Sequence, residues 1–149
     1  MKRFILALAC ATTAAIACAQ VTVTDPWVRA TVPNQHASGA FMQVTAAQDM
    51  KLVEVRSPVA AHVEIHEMVM DRDVMKMRAV TSIPLPAGKP VDLKSGSYHV
   101  MLLDLKDQIK VGDTVPLTLV VEGKDGKRQS VEVKAAARAL NSSMAMHSH

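Results

Sequence analysis

Between residues 66 and 101 the chain repeats histidine and methionine at short range: His66-Glu67-Met68, then Met75-Lys76-Met77-Arg78, then His99-Val100-Met101. Imidazole nitrogen and thioether sulfur are both metal ligands, and the combination selects the metal. Thioether sulfur is soft and uncharged, which favours cuprous copper over zinc, calcium or magnesium. Zinc sites draw instead on Cys, His and carboxylates. Two His and two Met bring no charge of their own, so a monovalent ion is easier to hold among them than a divalent one. Met also has no proton to lose and forms no disulfide, although it can oxidise to the sulfoxide. His66, Met68, Met77, His99 and Met101 are therefore candidates for one copper site.

Taken singly, each of these residues has a blander reading. Met is a flexible filler of cores, and Met42, Met50, Met70 and Met75 are expected to be packing residues. What sets the others apart is strand parity. Residues i and i+2 of a strand share a face, so His66 is co-facial with Met68, and His99 with Met101. Met77 lies between the two pairs and can approach His66 if the strand register allows. His62 shares the face of His66, but four strand residues span about 13 Å, which leaves it as a neighbouring or surface residue. His36 falls in an early loop and is expected at the surface.

The elements that must carry these side chains are short and alternating. Val21–Thr24 and Trp27–Ala30 predict a first strand interrupted by Asp25-Pro26, followed by a loop from Pro33 to Gly39. Further strands are expected at Ala40–Thr45, Leu52–Arg56, His62–Met70, Met75–Thr81, Val91–Leu93 and Ser97–Leu105. Asp71-Arg72-Asp73-Val74 makes a hairpin of His62–Met70 and Met75–Thr81, and Pro84-Leu85-Pro86-Ala87-Gly88 reads as a turn. Val115–Glu122 and Arg128–Lys134 form a last hairpin across Lys124-Asp125-Gly126, whose Asp-Gly pair suits the twist of paired strands. Helical spacing is suggested only at Ala135–Leu140. Seven to nine short strands with regular turns predict an all-β antiparallel sandwich or barrel forming a single domain.

The 149 residues divide into a leader (1–19), one β domain (20–140) and a tail (141–149). Met1-Lys2-Arg3 is basic, Phe4–Ala17 is apolar, and Ala17-Cys18-Ala19 offers small residues for cleavage before Gln20, the pattern of an export signal. The apolar run falls short of the roughly 20 residues that span a bilayer, and no transmembrane span is expected in the mature chain. A competing expectation makes Cys18 a lipidated first residue. Both cysteines, Cys10 and Cys18, lie in this leader, so cleavage after Ala19 would leave no thiol for disulfides or redox chemistry and none for a blue-copper site. Losing Lys2 and Arg3 takes the formal charge from +3 to +1. With Trp27, Phe41 and Tyr98 as the remaining aromatics, a nucleic-acid surface is not expected.

The blocks around these residues resemble the periplasmic PCu(A)C-type copper chaperone family. His66, ten residues, Met77, twenty-one residues, then His99-Val100-Met101 matches the family's spacing. Asp25-Pro26-Trp27-Val28-Arg29-Ala30, Leu85-Pro86-Ala87-Gly88, Gly96–Leu102 and Gly112–Leu117 are similar to its other blocks, so that the likeness runs from about Val21 to Val133. The resemblance implies a cupredoxin-like β-barrel binding one Cu(I) through His66, Met77, His99 and Met101, with Met68 as an accessory ligand. It further implies delivery of copper to the copper subunit of cytochrome c oxidase or to a Sco-type copper protein. Two positions depart from the family: Asp73 stands where a hairpin Gly is usual, and Ala46 replaces a common Asn.

The tail ends Met144-Ala145-Met146-His147-Ser148-His149. Its composition predicts a flexible end, and Met144, Met146, His147 and His149 are a second landing place for copper, as Cu(I) through sulfur or Cu(II) through imidazole. Imidazole ligands bind deprotonated, so copper affinity is expected to fall below about pH 6. The alternatives to a carrier are a periplasmic copper storage or detoxification protein and a metal-free β-sandwich used for interaction. An enzyme is not expected: there is no Gly-x-Ser-x-Gly, no His-Glu-x-x-His and no dinucleotide fingerprint.

Overall fold

A computed structural model describes residues 20–139; the leader and the Met/His tail lie outside the described residues. Ten strands follow in chain order: β1 (Val21–Arg29), β2 (Ala37–Ala46), β3 (Met50–Arg56), β4 (Ala60–Asp71), β5 (Val74–Val80), β6 (Ile83–Leu85), β7 (Val91–Leu93), β8 (His99–Leu105), β9 (Thr114–Gly123) and β10 (Arg128–Arg138). They form one sheet in the order β5-β4-β8-β2-β1-β10-β9-β3-β6, with β7 added to β2. No helix occurs among the described residues, so the all-β expectation is met.

Alternation drives the assembly. In β9, Val115, Leu117, Leu119 and Val121 point inward and are almost fully buried. They meet Val28 of β1, Val44 of β2, Leu52 of β3 and Val100 and Leu102 of β8 in one core. Each such Val or Leu removed from water contributes about 1.5–3 kcal/mol before entropy is counted.

Three expectations are corrected. The first strand is continuous, and Asp25 is absorbed as an irregularity in the β1–β2 register between Thr24 and Trp27. The segment read as a turn at Pro84-Leu85 is an edge strand. Ile83 and Leu85 are drawn into the core, and Pro84, pointing the other way, is tolerated at a sheet edge. Ala135–Arg138 is not helical: it extends β10 and pairs parallel with β1, Trp27 opposite Ala136 and Arg29 opposite Arg138. Alanine is a good helix former, but burial of Ala135 and Ala137 overrides that preference. This makes the sheet mixed rather than purely antiparallel.

The flank β5-β4-β8 positions the histidines and methionines. On its inner face Ile65 and Val100 are buried. The next residue along each strand, His66 and His99, turns to the outer face.

Candidate metal centre

β4 and β8 pair antiparallel with His66 directly opposite His99, and their ring centroids are 5.7 Å apart. β4 and β5 pair with Met68 opposite Met77. Met101 lies opposite Glu64 on one side and Gly39 on the other. Register alone thus brings His66, Met68, Met77, His99 and Met101 onto one patch of the outer face, although they span 36 positions of sequence.

The two histidines are oriented differently, and in each case one nitrogen is left free. His99 is 6% exposed. Its Nδ1 lies 3.1 Å from the carbonyl oxygen of Ser97. A carbonyl only accepts, so in the neutral ring Nδ1 carries the proton and Nε2 presents its lone pair. That lone pair faces Met77 Sδ at 3.0 Å. The turn behind it is held by backbone bonds from Lys94 N to Tyr98 O and from Ser97 N to Lys94 O. Gly96 supplies the positive φ, +87°, that the turn requires. His66 is held from the other nitrogen: Nε2 donates to Glu64 Oε2 at 2.6 Å. Its Nδ1 is buried and has no hydrogen-bond partner. Buried polar atoms are normally paired, so an unpaired imidazole nitrogen beside a second one suits a metal ion. A carboxylate or carbonyl fixing the far nitrogen is the usual support of a ligating histidine.

A cleft of about 290 Å³ opens beside the patch, lined among others by Arg29, Gly39, Phe41, Met68, Met77, His99 and Met101. The tip of the Phe41 ring sits against Gly39; a Cβ at Gly39 would come within 2.6 Å of it. The Arg29 guanidinium stacks over Phe41 at 5.4 Å, and Trp27 packs on the same ring with centroids 4.7 Å apart. One wall is therefore cationic, which adds to the preference of neutral ligands for a monovalent ion. Arg138 stacks on Trp27 and binds Asp25. Its guanidinium holds the Asp25 carboxyl below its ordinary value, against a smaller opposing effect of burial.

Among the described residues no three His, Cys, Asp or Glu side chains gather to hold an ion; the further donors beside the two histidines on this patch are the thioether sulfurs of Met68, Met77 and Met101. A larger depression, about 800 Å³, lies among Asp49, Lys124, Asp125 and Arg128. Its charges are partly paired, Asp49 with Lys124 and Arg128 with Glu122, and no histidine lines it.

Met42 is buried and Met50 packs against the core, as expected. Met70 and Met75 are not core residues: they are 64% and 46% exposed, because the β4–β5 hairpin extends past the residues it could pack on. His62 and His36 are exposed, and His62 pairs loosely with Asp104 at 3.6 Å. Sequence reasoning missed Glu64 and Arg29 as parts of the patch. Glu64 was findable, since it stands two positions before His66 and so shares its face. Arg29 and Gly39 arrive from neighbouring strands and carry no such signal. The tail residues Met144, Met146, His147 and His149 lie outside the described residues.

Comparison with known proteins places these features in a family. Residues 21–135 match the family model described as putative lipoprotein LpqE-like. The chain is 33% identical over 124 residues to the uncharacterized protein RP573 of Rickettsia prowazekii, covering 79% of this chain and 67% of that one. It is 28% identical over 114 residues to the putative lipoprotein Lxx21020 of Leifsonia xyli subsp. xyli, covering 76% and 68%. Among solved structures it is similar to the copper-bound PCuAC domain from PmoF2, with TM-score 0.65, 27% identity, and 83% and 96% of the two chains covered. It is also similar to the Cu(I) form of DR1885 from Deinococcus radiodurans, with TM-score 0.57, 29% identity, and 87% and 84% covered.

Proposed function

We propose that this chain, which belongs to the LpqE-like family, is a copper carrier that binds Cu(I) through His66, Met77, His99 and Met101, with Met68 as an accessory ligand. The observation that carries the reading is the pair of free imidazole nitrogens. His99 Nε2 faces Met77 Sδ at 3.0 Å, and the buried Nδ1 of His66 has no hydrogen-bond partner on the strand directly alongside. The PCuAC fold shared with the copper-bound domain of PmoF2 and the Cu(I) form of DR1885 supports it.

The geometry suits carriage rather than permanent storage. Met77 is 50% exposed, so its sulfur can be replaced by an incoming ligand while the imidazoles still hold the ion. Neutral donors and the cationic Arg29 wall favour Cu(I) over Cu(II). The acceptor in this reading is the copper subunit of cytochrome c oxidase or a Sco-type protein, and the compartment is the periplasm, reached by way of the leader. The relatives described as putative lipoproteins support export. Export either frees a soluble domain or leaves the chain lipidated at Cys18. The tail would capture copper, as Cu(I) or Cu(II), and pass it inward.

Competition between purified apo-protein and a chromogenic Cu(I) chelator tests the site. One Cu(I) should be withdrawn per chain, and His99→Ala or Met77→Leu should weaken that withdrawal strongly. No withdrawal at micromolar protein, or no effect of either substitution, would refute it.

A further inference from the structure

The β4–β5 hairpin has two unlike faces. On one, Glu67 Oε2 accepts from Arg78 at 2.9 Å and Asp71 Oδ2 accepts from Lys76 at 2.7 Å, so the charges are spent on each other. On the other face the cross-strand pairs are Met70 opposite Met75 and Met68 opposite Met77, followed by His66 opposite Ala79. No charged side chain interrupts this row between the hairpin turn and His66. Met70, Met75 and Met77 are all substantially exposed, so Met70 and Met75 add nothing to the core and are not explained by packing.

We propose that Met70 and Met75 form a second, weaker Cu(I)-binding pair at the hairpin tip, from which the ion passes through Met68 and Met77 to the histidines. The inference rests on the copper-carrier reading and extends it to the route of exchange. Directly opposed residues hold their Cβ atoms about 4.5–5.5 Å apart, so two flexible thioethers can close on one soft ion. Successive pairs along the hairpin are separated by about 6.8 Å. An ion moved from pair to pair thus meets a new sulfur before it need leave the old one. Two neutral sulfurs without imidazole make a weaker site than the histidine patch, as a transient stop requires. The transfer is a ligand exchange with no change of oxidation state: one Cu–S bond forms as another breaks.

The test uses the full chain labelled with [methyl-13C]methionine and titrated with Ag(I), a soft monovalent ion without redox chemistry, with methyl signals assigned by Met→Leu substitution. The first equivalent should shift Met77 and Met101; further Ag(I) should shift Met70 and Met75 together. In Met70→Leu/Met75→Leu the first event should remain and the tip event vanish. That variant should also release Cu(I) to a competing chelator several-fold more slowly, with unchanged equilibrium affinity. Shifts at Met77 and Met101 with Met70 and Met75 unmoved, or a later event confined to Met144 and Met146, would overturn the tip site and leave the carrier reading intact. Shifts at the tip with none at Met77 and Met101 would overturn the main site and the route to it while leaving ion binding at the tip, and no shift anywhere would overturn both.

Discussion

Two hairpins of this sheet are built alike and used oppositely. β9–β10 is joined by a turn at Lys124–Lys127 and buries one face of each strand, with Val115, Leu117, Leu119 and Val121 facing the core alongside Val133, Ala135 and Ala137. β4–β5 is joined by Arg72 and Asp73, and β5 contributes no buried residue at all. Its methionines, Met75 and Met77, are held out on the outer face, and Val80 alone of its residues is half-buried against the core. The first hairpin converts alternation into stability. The second uses the same alternation to line up the histidine and methionine donors of the proposed site, and depends on β8 and the core beneath His66 and His99 for its support.

That contrast can be broken by substitution. Leu119→Ala in β9 should cost about 2–5 kcal/mol, the range for emptying a fully buried leucine site. Met75→Leu in β5 should stay within about 0.5 kcal/mol. Urea unfolding of both variants checks the pair, and equal losses would mean that the β4–β5 hairpin is part of the core after all. The next effect is on binding. Glu64→Ala frees the His66 ring and should lower Cu(I) affinity about 10–100-fold, as loss of a supporting partner usually does, with little change in unfolding midpoint. Unaltered affinity would show that His66 is oriented by its strand alone.

A smaller effect is expected at the hairpin turn. Arg72 and Asp73 have φ of 49° and 64°, the left-handed conformation that a two-residue hairpin turn demands and that glycine adopts without penalty. Asp73→Gly should therefore stabilise the hairpin by up to about 1 kcal/mol, read as slower amide exchange in β5. Faster exchange would mean that the Asp73 side chain holds the turn.

The smallest effect lies at the joint between the two flanks, where Asp25 meets Arg138 across the parallel β1–β10 pair. The Asp25 carboxyl is held low chiefly by its hydrogen bond to Arg138. Its contribution is therefore present above the ordinary carboxylate value and is lost as pH falls through the lowered one. The pair is exposed, so the effect should stay below about 1 kcal/mol. The stability gap between the wild type and Asp25→Asn should close on acidification from about pH 5 to pH 2. A gap that persists at low pH would show that Asp25 acts through its backbone turn instead.

How much of this was legible depended on whether the signal was local. His66 with Met68, and His99 with Met101, are i, i+2 pairs, and strand parity is a property of extended backbone that holds wherever no bulge interrupts the strand. The strands themselves were readable from alternation, except where an irregularity at Asp25-Pro26 hid the continuity of β1, where a buried pair straddled a proline at Ile83–Leu85, or where alanine sat between two preferences at Ala135–Arg138. Met70 and Met75 were misjudged because composition cannot say whether an apolar residue near a hairpin tip still has a core beneath it. Ala79, Met77 and Met75 occupy successive same-face positions of β5, and only the register decides which of them meets a histidine.

By itself, then, the sequence determined the class of fold, the supply of soft candidate donors and the face each would take on its own strand. These follow from side-chain chemistry and the two-residue repeat of extended backbone. Only the tertiary structure decided that His66 stands opposite His99, that Met77 sulfur meets His99 Nε2, that Glu64 and Ser97 occupy the far nitrogens, and that Arg29 lines the cleft. Those relations depend on pairing register between strands distant in sequence, where a slip of one residue would turn every candidate donor to the other side of the sheet.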